Sequence, residues 1–231
     1  MRSLAPFSAF IALLLTAGPG TAQVSEGQWV SYRDAYRMMV AFEKYGKGKH
    51  FIQNHFQVMP KDKNLAPDGL QLSLQGNNIS LNLPLDATGR TVFPLLKSAY
   101  DENAALVLNR KVDQHVFRSR ISIVVRPDGV YEAHDLRTAC EQALAYQRSV
   151  EGSPRGGRCA GVRFVFARGT QDPGVRLRKG EGDALTTVDG PAFPGDAYQL
   201  YRVVNFRFAA ASDNSHVVTQ NAPLAINPIV E

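Results

Sequence analysis

The chain has 231 residues, which suits one medium domain or two small ones with a hydrophobic core. Its 26 basic and 21 acidic residues give a formal net charge of +5 at pH 7, and they are interspersed rather than gathered in a basic stripe with aromatics, so we predict no nucleic-acid binding. The two cysteines and five histidines show none of the close paired spacings of zinc ligands, so we predict neither a metal site nor a cofactor.

The first residues have the three-part pattern of a secretory signal. Arg2 supplies a positive end, 4–17 is an apolar run, and a Gly-Pro-Gly break follows at 18–20. An apolar run of about 14 residues is short of the roughly 20 that span a bilayer. We therefore expect residues 1–22 to be removed as a signal peptide, and the mature chain to be periplasmic or secreted, with no transmembrane segment.

A helix is predicted next, at about 31–45. Ser31 can cap it, and Asp34 three residues later forms a weak version of the capping box. Apolar and aromatic residues recur at helical spacing along one side, which favours packing against a core. This side includes Tyr32, Tyr36, Met39 and Val40.

Short extended segments with period-two alternation follow, and they predict antiparallel strands. A turn-rich connector is expected at 84–104, because proline, glycine and aspartate are frequent there. The predicted strands are 50–59, a hairpin of 70–74 with 79–83, 105–108, 116–125 and a return strand from Val130.

The second helix is predicted at about 135–149, with Asp135 as its cap and an apolar stripe that includes Cys140. Cys159 opens the next predicted strand. In an oxidising compartment we expect Cys140 and Cys159 to form a disulfide, which closes a loop of about 20 residues and contributes roughly 3 kcal/mol. The alternative, a catalytic thiol, would need a base nearby.

The remainder of the chain alternates loops and strands. Residues 168–196 are rich in glycine, proline, aspartate and arginine and predict a long loop that is functional, mobile or partly structured. A long strand is predicted at 198–208, and Val217 and Val218 could add an edge strand. The predicted fold class is therefore α+β: a mainly antiparallel sheet with two packed helices. We expect residues 23–231 to form a single domain, with a division into two subdomains near 110–126 as the alternative.

No sequence motif identifies a catalytic reaction, so we assign no catalytic residue. The leading hypothesis is a non-enzymatic envelope protein that binds a protein partner or a surface polymer. Its predicted contact surface is the long loop and its neighbourhood, with residues Arg176, Arg178, Phe193 and Tyr198.

Two alternatives remain. One is a secreted hydrolase in which the fold brings His134 or His115 to a carboxylate. The other is a small-molecule or lipid carrier, which would need an apolar cavity between sheet and helices. The sequence leaves the oligomeric state open.

Overall fold

The computed structural model describes residues 29–62, 64–65, 67–151, 157–178, 183–196, 198 and 201–231. The predicted signal peptide, 1–22, lies outside these residues. The described helices are α1 (Tyr32–Glu43), α2 (Lys97–Asp101) and α3 (Ala133–Glu151). The described strands are β1 (Trp29–Ser31), β2 (Ile52–Pro60), β3 (Leu72–Gln75), β4 (Ser80–Leu83), β5 (Arg90–Thr91), β6 (Ala105–Leu108), β7 (His115–Ile123), β8 (Val130–Glu132), β9 (Cys159–Phe166), β10 (Val175–Arg178), β11 (Asp183–Ala184), β12 (Thr187–Gly190), β13 (Tyr201–Arg207), β14 (His216–Thr219) and β15 (Ala225–Val230).

These strands form three sheets in which neighbouring strands are antiparallel. The largest has seven strands in the order β12-β13-β9-β15-β7-β2-β5. The other two have four strands each, in the orders β1-β6-β3-β4 and β11-β10-β14-β8. The predicted α+β class, a mainly antiparallel fold with a few packed helices, is confirmed.

Helix α1 begins where the sequence predicts. The Ser31 hydroxyl accepts the backbone N–H of Asp34 at 3.3 Å, which satisfies one of the free donors of the first turn. The buried side of the helix consists of Tyr32, Ala35, Met39 and Phe42. Below it lie the first four-stranded sheet and β2, which together form one hydrophobic core.

Helix α3 covers the seven-stranded sheet and forms a second core with it and with the sheet of β10 and β14. Cys140 is fully buried on this helix and is bonded to Cys159 at the start of β9, with the two Cα atoms 5.9 Å apart. The predicted pairing of the cysteines is therefore observed. None of the helices in the described part of the chain combines the length and apolarity that a membrane crossing requires.

The predicted cap of α3 is wrong. Strand β8 runs directly into the helix, which begins at Ala133, so Asp135 lies in its first turn. The N–H groups of Ala133 and His134 donate to the carbonyl oxygens of Ser215 and Asp213. A distant loop therefore supplies acceptors for two of the N–H groups in the first turn of the helix.

Segments predicted as loops contain regular structure. Residues 168–196 include β10, β11 and β12, and the connector at 84–104 includes β5 and α2. Strand β14, predicted at an edge, lies between β10 and β8. Strand β15 was not predicted, yet it occupies the middle of the seven-stranded sheet, where Ala225 and Ile226 are fully buried.

Candidate binding site

The seven-stranded sheet opens at β7. This strand pairs with β2 at nine positions, but with β15 only where Ile123 faces Ile226. Continuing that register would place Pro228 opposite Ile121, and proline has no N–H to donate. Strand β15 stays paired with β9 along its other edge, where Pro228 lies opposite Val162, and does not continue its pairing with β7. Among the described strands, none pairs with the outer edge of β7 from His115 to Ile121.

The pairing with β2 determines which backbone groups of β7 point outward. Lys61 donates its N–H to the carbonyl of Gln114, and Val124 donates to the carbonyl of Phe51, just beyond the two ends of the ladder. Hydrogen-bonded positions alternate in an antiparallel pair. The backbone N–H and C=O groups of even-numbered β7 residues therefore point towards β2, and those of odd-numbered residues point away from it. The outward residues are Phe117, Ser119 and Ile121.

The outward N–H of Ser119 has an unusual acceptor. It lies 3.0 Å from the thioether sulfur of Met38, a side chain of α1 that is 38% exposed. A thioether sulfur is a weak acceptor compared with a carbonyl oxygen. The backbone donor at the middle of the open edge is thus satisfied only weakly.

A groove of about 360 Å³ lies beside this edge, between α1 and α3. Four consecutive residues of β7 line it, and since successive side chains point to opposite faces of a sheet, the groove must run along the edge of the strand. We call it the β7 groove, and its lining residues are Met38, Ala41, Arg118, Ser119, Arg120, Ile121, Tyr146, Gln147 and Val150.

Arg118 and Arg120 extend from β7 to the face of the sheet opposite α3, where they meet Gln57 of β2. The amide oxygen of Gln57 accepts both Nε–H groups, at 3.0 Å from Arg118 and 2.8 Å from Arg120. Its amide nitrogen donates to the carbonyl of Thr88 at 2.8 Å. Gln57 is fully buried, so these bonds fix the direction of both guanidinium groups.

The same two arginines share one carboxylate. Asp196, with a side chain only 1% exposed, accepts hydrogen bonds from both guanidinium groups, at 2.8 Å from Arg120. Nearby, Arg90 is paired with Asp86 at 2.8 Å. We call these five residues the arginine cluster.

The arginine cluster holds more positive than negative charge, because three guanidinium groups meet two carboxylates. The ring of Phe193 lies between two of the guanidinium groups, with its centroid 5.2 Å from Arg90 and 4.5 Å from Arg120. Burial lowers the pKa of Arg120 to about 10, against the opposing effect of Asp196. Arg120 is therefore still protonated at neutral pH, and the site favours a further anion.

The structure separates the predicted contact residues into two groups. Phe193 is 1% exposed inside the arginine cluster, and half-buried Tyr198 lines a second depression, of about 180 Å³, together with Arg118 and Asp196. Arg176 and Arg178 are exposed on β10, in another sheet. Each side of Arg118 therefore borders a depression, while the β10 arginines form a separate basic surface.

The two histidines considered for hydrolysis have local partners. His134 is exposed, with its Nδ1 3.6 Å from an oxygen of Asp135. His115 is buried, and its Nδ1 lies 2.8 Å from the carbonyl oxygen of Lys111. In the parts of the chain that the structure describes, no group of three metal-ligating side chains is found.

Sequence reasoning missed Arg118, Arg120 and Asp196. One signal was available: the two arginines are two residues apart in a predicted strand, which places them on one face of the sheet. The carboxylate that pairs with them is 76 residues further along the chain from Arg120, and no local pattern indicates such a contact. No protein-family model, curated protein or solved structure matches the chain.

Proposed function

We propose that the chain is a non-enzymatic binding protein of the envelope or extracellular space, and that it takes an acidic protein partner or surface polymer. The observation that carries the proposal is the β7 groove, which opens beside a cluster with one positive charge in excess. The groove is within the size range of ligand sites and combines apolar walls with a few polar groups. The disulfide and the lack of a membrane-spanning helix among the described residues fit such a location.

The β7 groove is a better candidate than a larger basic depression elsewhere among the described residues. That depression, of about 650 Å³, is lined by Arg137, Arg158 and Arg207. Two of these arginines already have acidic partners, Asp213 at 3.2 Å from Arg137 and Glu231 beside Arg207. Both sites therefore have one positive charge in excess, and the β7 groove is the better candidate because it also borders the open edge of β7.

The proposal is tested by binding of labelled poly-glutamate to the chain 23–231 at physiological salt, with poly-lysine as the comparison. Ala41→Trp fills the groove from an exposed position of α1, and we expect it to weaken poly-glutamate binding at least fivefold. Ala210→Trp, the same change at an exposed alanine outside the groove, should leave binding unchanged. No binding of poly-glutamate by the unmodified chain would overturn the proposal.

A second double variant distinguishes the two basic surfaces. Arg176→Ala with Arg178→Ala removes two exposed charges from β10. If this variant loses poly-glutamate binding while Ala41→Trp retains it, the contact surface is the exposed face of β10, as the sequence predicts. We expect the opposite result, because Arg176 and Arg178 are exposed, and solvent weakens a charge interaction with a ligand at exposed side chains.

A further inference from the structure

We propose that the β7 groove binds a partner protein as an extended segment, which adds a strand to the open edge of β7 and carries acidic side chains. This inference rests on the proposed function and specifies its partner. A strand that joins an exposed sheet edge gains main-chain hydrogen bonds, and pockets for alternate side chains select its sequence. Three observations, on the backbone, the walls and the charge, support it.

The backbone observation is the set of outward groups at Phe117, Ser119 and Ile121. They span about 13 Å at the usual rise of a strand, so a segment of four or five residues would cover them. The Met38 sulfur now occupies the position that a partner's carbonyl oxygen would take opposite Ser119. Replacing a weak acceptor by a strong one favours the added strand, and the exposed, flexible Met38 side chain can rotate away.

The walls and the charge lie on opposite faces of the added strand. Towards the helices, the groove presents Met38, Ala41, Tyr146 and Val150, which suit apolar side chains. Towards the other face lies Arg118, whose side chain is 31% exposed, beside the excess positive charge of its cluster. Since successive residues of a strand point to opposite faces, the partner segment should alternate apolar and acidic residues.

The register of β15 also explains why no described strand of the chain closes this edge. The residue of β15 that would follow in register is Pro228, which cannot donate to the carbonyl of Ile121. Proline at such a position is one way in which proteins keep a sheet edge from pairing. Here it leaves the segment of β7 that borders the groove unpaired with any described strand.

The test uses the ¹⁵N-labelled chain 23–231 and two end-blocked heptapeptides, Thr-Val-Asp-Val-Asp-Val-Thr and its counterpart with lysine in place of aspartate. We expect the aspartate peptide to shift the amide resonances of Phe117, Ser119 and Ile121, and to bind at least tenfold more tightly than the lysine peptide. Equal binding of the two peptides would overturn the inferred charge preference.

A matched pair of variants tests the main-chain contact. Ser119→Pro removes the outward N–H, whereas Ser119→Ala keeps it, and both lose the bond from the Ser119 hydroxyl to Asn54. The N–H removed is not one that pairs with β2, so proline is tolerated at this edge position. We expect at least tenfold weaker binding by Ser119→Pro than by Ser119→Ala; equal binding would contradict strand addition.

A modification of the peptide tests the main-chain contact without altering the protein. N-methylation at the even positions of the aspartate peptide, or at the odd positions, blocks donors on only one edge of the bound strand. We expect one version to lose binding and the other to keep it. Poly-glutamate could bind the chain while the aspartate peptide does not bind, or binds equally well when methylated at its even or its odd positions. The strand model would then be wrong and the proposed function would stand. If no acidic probe binds, both are wrong.

Discussion

His55 illustrates how the arginine cluster affects a neighbouring titratable residue. It lies opposite Arg120 in the pairing of β2 with β7 and has a half-buried side chain. Burial, and then the positive charge of Arg90, lower the pKa of His55 below its usual 6.5, while Asp86 opposes them. The imidazole is therefore neutral at pH 7 and accepts a proton less readily in the folded chain than in the unfolded one.

This difference predicts a pH dependence of stability. The contribution of His55 is fully present above its unfolded pKa of about 6.5, and it is lost as the pH falls from there through the lowered folded pKa, because the unfolded chain takes up the proton first. We expect His55→Gln to reduce the loss of unfolding free energy between pH 7 and pH 5, measured by urea denaturation. His134→Gln, at an exposed position, is the control, and an unchanged slope in His55→Gln would contradict the prediction.

Strands β9 and β13 approach each other closely at Gly161, in the middle of the large sheet. A Cβ atom at this position would lie 2.1 Å from the carbonyl oxygen of Phe206. That distance is well inside van der Waals contact, and the obstructing atom belongs to the backbone, which cannot rotate away. The glycine is therefore required for the two strands to pair at their present spacing.

We expect Gly161→Ala to lower the unfolding free energy by about 1–3 kcal/mol, the usual cost of overpacking a fitted interior. Gly169→Ala is the matched control, since nothing lies within 4 Å of a Cβ atom there. The two variants are compared by urea denaturation of the oxidised chain. Equal stability of both would show that β9 and β13 separate at little cost.

Helix α1 could be predicted from the sequence and strand β15 could not. Helix α1 follows from local information: a serine cap and a periodic apolar side, which its own residues supply. Strand β15 contains a proline, so local patterning gives little signal, and its position depends on partners in β9 that lie 60 to 71 residues earlier in the chain. The candidate site has features of both kinds. The alternation of Arg118 and Arg120 can be read from the local sequence. The contact with Asp196 and the end of the pairing between β15 and β7 depend on the tertiary structure.

At the scale of the molecule, two hydrophobic cores meet at the long pairing of β2 with β7. One core contains α1 and the first four-stranded sheet; the other contains α3, most of the large sheet and the sheet of β10. Side chains of both helices also meet each other, since Phe42 of α1 packs edge-on against Tyr146 of α3 at 5.2 Å. These contacts favour a single cooperative unfolding transition for both cores.

The disulfide tests this coupling, because it lies in the second core. Cys140→Ala with Cys159→Ala releases a loop with a sequence separation of 19 residues, and we expect it to lower the unfolding free energy by about 3 kcal/mol through the greater entropy of the unfolded chain. Trp29, the single tryptophan, belongs to β1 in the first four-stranded sheet and reports on the other end of the molecule. If the two cores unfold together, tryptophan fluorescence and far-ultraviolet circular dichroism will shift to the same lower urea midpoint in the variant. A fluorescence midpoint that stays in place while the dichroism midpoint falls would instead show two independently unfolding subdomains.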